Sequence, residues 1–391
     1  MEAITSPSQF GENQIKILRI ITRMNIGGPA VQVAGLMNTL DRKQFQQELI
    51  TGKCLENEID YLEVKLPELR VKRINSLSRR VNLYNDMKTL LLLIRKIRQF
   101  KPDIVHTHLA KAGVIGRIAS ILSGHRSIRI HTYHGHLLVG YFGKFKLSLL
   151  IFVEKYLGKV TDHLVAVGEK VKVDLINVGI GSIGKFSVVN PGLEISSIPE
   201  RGEILKSLNL SKNAVYCAFI GRLTEIKRPD RMLKVASELS DRGVNIHFIV
   251  AGGGDLLAES QKIAEEQNLP VTFLGWCENI EDVLAVSDLI LLTSDNEGTP
   301  IALIQAGMAG IPSVTTDVGS VNEVVLHGET GLVTDFSVES ISDALEKLVT
   351  DAEMRKRFGE AAKVYTLNRF SLKVMTSTYS DLYRGLISRR Q

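Results

Sequence analysis

Three short stretches and a group of histidines hold residues whose types and spacing suit chemistry. In SDNEGTPIALIQAGMAGIPS, residues 294–313, Glu297 and Gly298 lie in a loop just before Pro300 opens a helical segment. The unpaired N–H groups of a helix's first turn favour an anion; here they would come from Thr299, Ile301 and Ala302, since proline has none. Gln305 follows Ile301 by one turn and shares its face. In FIGRLTEIKRPDRML, residues 219–233, Arg222 and Lys227 stand after an apolar run and just ahead of Pro229. Two cations there can neutralise a diphosphate leaving group, and a solvated loop has the same composition. In ITRMNIGGPAVQVAGLM, residues 21–37, Gly27 and Gly28 permit close backbone approach to a ligand and Pro29 suits a first helical turn; a tight turn without a ligand fits equally.

Histidines gather in the first half: His106, His108, His131, His134 and His136 are five of nine. Their spacing does not match HExxH, and no cysteine or carboxylate triad accompanies them, so a zinc site is not expected. A histidine at a strand end is placed to hydrogen-bond a substrate hydroxyl, whereas a satisfied structural role suits His106 and His131. AGGGDLL, residues 251–257, lacks dinucleotide-fingerprint spacing and reads as a structural turn.

The elements that must hold these stretches alternate from end to end. Strand-like runs fall at 15–22, 103–108, 128–134 and 163–168, with helices predicted at 29–40, 83–100, 112–122 and 144–157. A second strand series follows at 215–221, 245–252, 271–275, 289–294 and 312–316. Such alternation predicts parallel βα units, in which ligands bind beyond the carboxyl ends of the strands. Between the series, residues 177–203 carry five glycines and two prolines, which marks a domain boundary. The expected division is 1–190, 191–368 and a terminal helical segment 369–391 that crosses back to the first domain.

At 391 residues the chain exceeds one ordinary core and suits two domains of ~150 to 200 residues. Its composition, 44% apolar and 23% charged, is globular. Three distant cysteines read as a reduced, cytosolic chain without a disulfide frame. The first residues lack the order of a signal peptide, and the longest apolar runs fall far short of the ~20 residues that span a bilayer. The net charge of +5 hides an asymmetry: residues 1–190 hold 28 Lys and Arg against 15 Asp and Glu (+13), leaving 20 against 28 (−8). Residues 70–101 alone carry ten basic residues and one acid, Asp86. That suits a solvated helix face, or attraction to anionic lipid or a polyanionic acceptor. Nucleic acid is not expected, because Tyr84 and Phe100 are the two aromatic residues in that stretch and do not form a series of stacking platforms. KFKLSLLIFVEKYLGK, residues 144–159, suits either a buried helix or an interfacial one at an anionic membrane.

Assembled in order, NIGG, TYHGH, VVNPGLE, GRLTEIKRPD, the GGG turn, FLGW, SDNEGTP and DVGSVNEVV make the chain resemble the retaining, nucleotide-sugar-dependent glycosyltransferases of family 4, over residues 15–385. The resemblance implies the GT-B fold, an α/β architecture of two Rossmann-like, doubly wound parallel-sheet domains facing a central cleft. It implies that Arg222 and Lys227 hold the donor's diphosphate, with Gly27 and Gly28 approaching it. Glu297 matches the first glutamate of the E-x7-E motif, near the reacting sugar. His134 matches the histidine of the HG segment, with His136 as the other occupant of that role. Gly275 and Trp276 correspond to the nucleobase site, and Gly298 and Gln305 to the sugar and ribose.

Gln305 departs from the motif, whose second glutamate accepts from ribose. A glutamine keeps one carbonyl acceptor and adds an NH₂ donor, so the contact survives without its charge at a cost of ~1 kcal/mol. The expected activity is transfer of a hexose or N-acetylhexosamine from a nucleoside diphosphate sugar, most simply a UDP-sugar, to a saccharide or lipid-linked acceptor. No cofactor or metal is expected, and the setting is cytoplasmic or peripheral on the inner membrane face. A UDP-sugar 2-epimerase on the same fold and a non-catalytic nucleotide-sugar-binding subunit are the competing readings.

Overall fold

A computed structural model of the chain describes residues 14–55, 58–69, 71–135 and 144–390. The chain divides into two compact units: one runs to Gly192 and resumes at Leu372, and the other is Leu193–Ser371.

The first unit opens with β1 (Ile15–Ile21), α1 (Gly28–Thr39), β2 (Phe45–Thr51), α2 (Tyr61–Lys65), β3 (Lys72–Arg73) and α3 (Leu83–Phe100). It continues through β4 (Ile104–His108), α4 (Ala110–Leu122), β5 (Ile128–Tyr133), α5 (Lys144–Val160), β6 (His163–Ala166), α6 (Glu169–Asn177) and β7 (Phe186–Val188). Among the described residues its sheet has the order β3-β2-β1-β4-β5-β6-β7, and all its strand pairs are parallel.

The second unit contains α7 (Arg201–Ser207), β8 (Val215–Ile220), α8 (Pro229–Asp241), β9 (Ile246–Ala251), α9 (Leu257–Glu266), β10 (Val271–Gly275) and α10 (Ile280–Val286). There follow β11 (Leu289–Leu292), α11 (Ile301–Ala309), β12 (Ser313–Thr316), β13 (Gly331–Thr334), α12 (Val338–Thr350) and α13 (Ala352–Phe370). Its described sheet, β10-β9-β8-β11-β12-β13, is again parallel. The chain then enters α14 (Leu372–Ser388), which belongs to the first unit.

Alternation along β1 explains the two helix layers of the first unit, because successive strand residues point to opposite faces. Ile17 packs with Leu36 of α1 and Met375, Tyr379 and Tyr383 of α14. Leu18 and Ile20 pack instead with Leu93 and Ile97 of α3 and Ala112 and Ile115 of α4. In each sheet the order reverses direction once, between β1 and β4 and between β8 and β11. Such switch points leave a crevice at the carboxyl ends of the strands.

Helix limits follow local chemistry. Asn82 caps α3 by accepting from the Asn85 N–H, and prolines occupy the first turns of α1 and α8. The glycine–proline stop after residue 309 ends α11 as the spacing predicts, with Gly310 left-handed at φ 82°. Strands β2, β3, β7 and β13 are additions to the predicted set. β2 reads FQQELIT, whose polar residues mask its pleat, and the other three are two to four residues long at or near sheet edges. The segment 144–159 lies in α5, a half-buried helix: Glu154 and Leu157 face inward while Leu149, Phe152 and Tyr156 are exposed. Among the described residues no helix is long and apolar enough to cross a membrane.

Candidate functional site

In the second unit, the loops at the carboxyl ends of β8 and β11 are stitched together. Thr293 Oγ1 donates to the carbonyls of Lys227 and Arg228, and the Asp295 N–H donates to the carbonyl of Ile226. Arg228, left-handed at φ 53°, binds Asp230 and Asp295, and Arg231 joins Asp295 to the Thr293 carbonyl. This clasp brings Lys227 Nζ to 2.5 Å from Glu297 Oε1, and the Ser294 hydroxyl donates to the same oxygen at 2.6 Å. Ser294 is fully buried and Glu297 half-buried, so the carboxylate is held by an ammonium and a hydroxyl in a partly desolvated corner.

Glu297 also meets the DVGS turn. Gly319 is left-handed at φ 53°, and a Cβ there would lie 1.8 Å from the Glu297 carbonyl oxygen, so only glycine fits. The Ser320 N–H donates to the Gly298 carbonyl at 3.1 Å. Beyond Gly298, buried Thr299 leads through Pro300 into α11, where the N–H groups of Ile301 and Ala302 lack intrahelical partners. The Gln305 side chain, half-buried on the Ile301 face, has no hydrogen-bond partner among the described residues. Arg222 is exposed on the β8 loop and forms no ion pair among the described residues.

The AGGG turn is structural. A Cβ on Gly252 would lie 1.9 Å from the Gly221 carbonyl oxygen, and the Gly252 N–H donates to the Gly275 carbonyl at 2.6 Å. Three glycines at the ends of β8, β9 and β10 thus keep that edge low, with Trp276 exposed beside it.

In the first unit, Gly27 caps α1 at φ 153° and its carbonyl accepts from the Ala30 N–H. The histidines at the ends of β4 and β5 form a continuous polar chain. His106 Nδ1 faces two donors, Arg19 Nη1 at 3.1 Å and the Tyr383 hydroxyl at 2.8 Å. Its proton therefore sits on Nε2, donated to Thr132 Oγ1 at 2.7 Å. The His106 and His108 rings stack at 4.2 Å, and His108 Nδ1 lies 2.9 Å from His134 Nε2. One proton lies between those nitrogens. Among the described residues His108 Nε2 is buried without a partner, and a buried N–H lacking an acceptor is rarer than a bare lone pair. That assigns the shared proton to His108 Nδ1 and leaves His134 protonated on Nδ1. Desolvation lowers His134 to about 3 and holds His106, His108 and His131 well below 6.5, so the chain is neutral at pH 7. His131 is structural: its Nδ1 lies 2.8 Å from Thr107 Oγ1, and Gly113 of α4 packs on its ring. His136 lies outside the described residues.

Ser294 escapes the motif reading, since it sits at a strand end like many structural serines. His108 is named in the histidine cluster, but its pairing with His134 is not signalled; the H-x-H alternation of β4 only puts it on the His106 face. Among the described residues no group of three or more histidine, cysteine or acidic side chains is placed to hold a metal ion.

Two family profiles cover consecutive parts of the chain: "Glycosyltransferase Family 4" over residues 26–197 and "Glycosyl transferases group 1" over residues 200–365. The chain is 27% identical to the Escherichia coli UDP-Gal:alpha-D-GlcNAc-diphosphoundecaprenol alpha-1,3-galactosyltransferase, over 89% of this chain and 91% of that protein. It is 25% identical to the Staphylococcus aureus capsular polysaccharide biosynthesis glycosyltransferase CapM, over 88% of this chain and 93% of that one. Its fold matches Anabaena HepE, solved with UDP and glucose, with a TM-score of 0.81 at 17% identity, over 95% of this chain and 100% of that chain.

Proposed function

The chain is a glycosyltransferase that belongs to family 4 and has the GT-B fold, and from that premise we propose its reaction in finer terms. The donor is a UDP-sugar, and a hexose or N-acetylhexosamine passes to a hydroxyl of a saccharide or lipid-linked saccharide with retention at the anomeric carbon. The product enters cell-surface polysaccharide or glycolipid synthesis. The arrangement that carries this reading is Lys227 and Ser294 converging on one oxygen of Glu297, beside the open first turn of α11.

As the sugar–diphosphate bond breaks, negative charge grows on the leaving oxygens. Exposed Arg222, Lys227 and the N–H groups of Ile301 and Ala302 offset it, Lys227 exchanging a carboxylate oxygen for a phosphate one. Thr299, Gly27 and Gly28 shape the approach to the diphosphate. The acceptor oxygen bonds to the anomeric carbon on the face the diphosphate leaves, and its proton passes to a β-phosphate oxygen. No protein nucleophile is needed. Nor is a metal ion, because protein cations and backbone dipoles supply the positive charge. Glu297 supports the positive charge developing on the sugar, and neutral His134 hydrogen-bonds a sugar oxygen. Gly298 and Gln305 serve the sugar and ribose, and Gly275 with Trp276 the base.

We place the reaction at the inner face of the cytoplasmic membrane. Support comes from the +13 balance of residues 1–190 and from the lipid diphosphate in the name of the E. coli relative. Replacing Glu297 with Ala should lower transfer by about 10²–10³-fold while UDP still raises the melting temperature. Near-normal turnover of Glu297→Ala would remove this residue from the catalytic set.

A further inference from the structure

Among the described residues, the outward face of α3 is unpartnered and apolar. One stripe, Thr89, Leu93, Ile97 and Phe100, is buried and accounts for the packing of the helix. A second stripe at helical spacing points to solvent: Leu83 is 85% exposed, Tyr84 78%, Met87 56% and Leu91 60%, with Val81 just before them at 83%. Single exposed apolar residues are ordinary, but a contiguous stripe of this length marks an interaction surface.

The charges around the stripe identify its occupant. Arg79, Arg80, Lys88 and Arg95 are all exposed beside it. The acid of α3, Asp86, is neutralised by Lys111 of α4, which also donates to the Arg80 carbonyl. A second copy of this chain on a two-fold axis would bring Lys88 and Arg95 against their own counterparts, like charge on like. An anionic lipid surface offers the complementary arrangement, acyl boundary for the stripe and head groups for the cations.

We propose that this face of α3 is a docking surface for an anionic phospholipid bilayer. It deepens the membrane placement given above and rests on it. Lys111 ties the N-terminal end of α3 to the start of α4, which follows the carboxyl end of β4 at His108. Docking by α3 therefore brings the strand-end edge of the first sheet, with His108 and His134, close to the lipid surface. An acceptor anchored there by a lipid diphosphate meets that edge without leaving the membrane.

The test is co-sedimentation of the whole chain with vesicles of phosphatidylglycerol and phosphatidylcholine, against phosphatidylcholine alone. Wild type should bind the anionic vesicles preferentially and release as salt rises. Replacing Arg79, Arg80 and Lys88 with Gln should weaken partitioning by about two orders of magnitude, near fivefold for each cation removed. Leu83→Ser with Met87→Ser and Leu91→Ser should weaken it at least about tenfold. Phe152→Ser with Tyr156→Ser on α5 should leave it unchanged, and UDP-induced thermal stabilisation should persist in every variant. Wild-type binding that survives both α3 variants, or is lost instead on changing α5, overturns the assignment to α3 while leaving the membrane placement standing. No binding by wild type overturns both, and a concentration-dependent dimer that the serine variants dissolve overturns the assignment of the α3 stripe to lipid.

Discussion

The two units place functional groups at the same kind of strand edge by opposite electrostatic means. In the first, the groups are neutral and deeply buried: stacked histidines, two tyrosines and a threonine around Arg19, whose side-chain partners among the described residues are Gln47, His106 and Tyr383 rather than a carboxylate. In the second, the groups are ions in half-open loops, Lys227 on Glu297 and Arg228 and Arg231 on Asp295. A neutral chain keeps a proton at a defined nitrogen and suits recognition of hydroxyls. Half-open ion pairs can exchange partners with little desolvation penalty, and this suits the arrival and departure of a diphosphate.

The contrast is sharpest for single ion pairs. Arg117 and Glu154 are fully buried, with both carboxylate oxygens on one guanidinium nitrogen and the Tyr133 hydroxyl donating to the same carboxylate. Glu154→Ala strands that cation and should cost about 3–5 kcal/mol in urea unfolding. A loss below about 1 kcal/mol would mean that water reaches Arg117 and that the first unit is not dry there.

Acid should separate the units next. His134 and His163 are lowered to about 3 and about 4 by burial, and three further histidines of the first unit lie well below 6.5. Because the unfolded chain binds these protons first, stability is complete above pH 6.5 and falls as pH drops toward the folded values. The loss is about 1.4 kcal/mol per pH unit for each histidine. In the second unit one histidine, His247, is lowered. Intrinsic-rate-corrected hydrogen exchange of the β4 and β5 amides should quicken near pH 5, while the fluorescence of Trp276, the one tryptophan and a residue of the second unit, stays native. Simultaneous loss of both signals would refute the difference.

The smallest effect tests position 305. If its amide meets ribose, Gln305→Glu should tighten UDP binding by about 1 kcal/mol, read by titration calorimetry. Unchanged affinity would place ribose elsewhere.

Much of this was legible along the chain. Gly27, Gly28, Arg222, Lys227, Glu297 and His134 stand out because glycine, charge and imidazole at strand-to-helix junctions are local signals, and the structure puts each at a strand's carboxyl end. The edge strands were hidden because two to four residues carry no measurable period. Ser294 was hidden, and His108 stood out only as one of the clustered histidines, because their importance is a partner, and partners are not adjacent in sequence.

By itself, then, the sequence determined the alternation of strands and helices, the stops at glycine and proline, and the chemical types waiting at each junction, since all of these depend on near neighbours. Only the tertiary structure decided which junctions meet. Lys227 finds Glu297 70 residues away because β8 and β11 are adjacent across the reversal of strand order. His108 finds His134 because β4 and β5 pair in register. Equally, the two apolar stripes of α3 have the same helical period, and only packing determined which was covered and which was left to solvent.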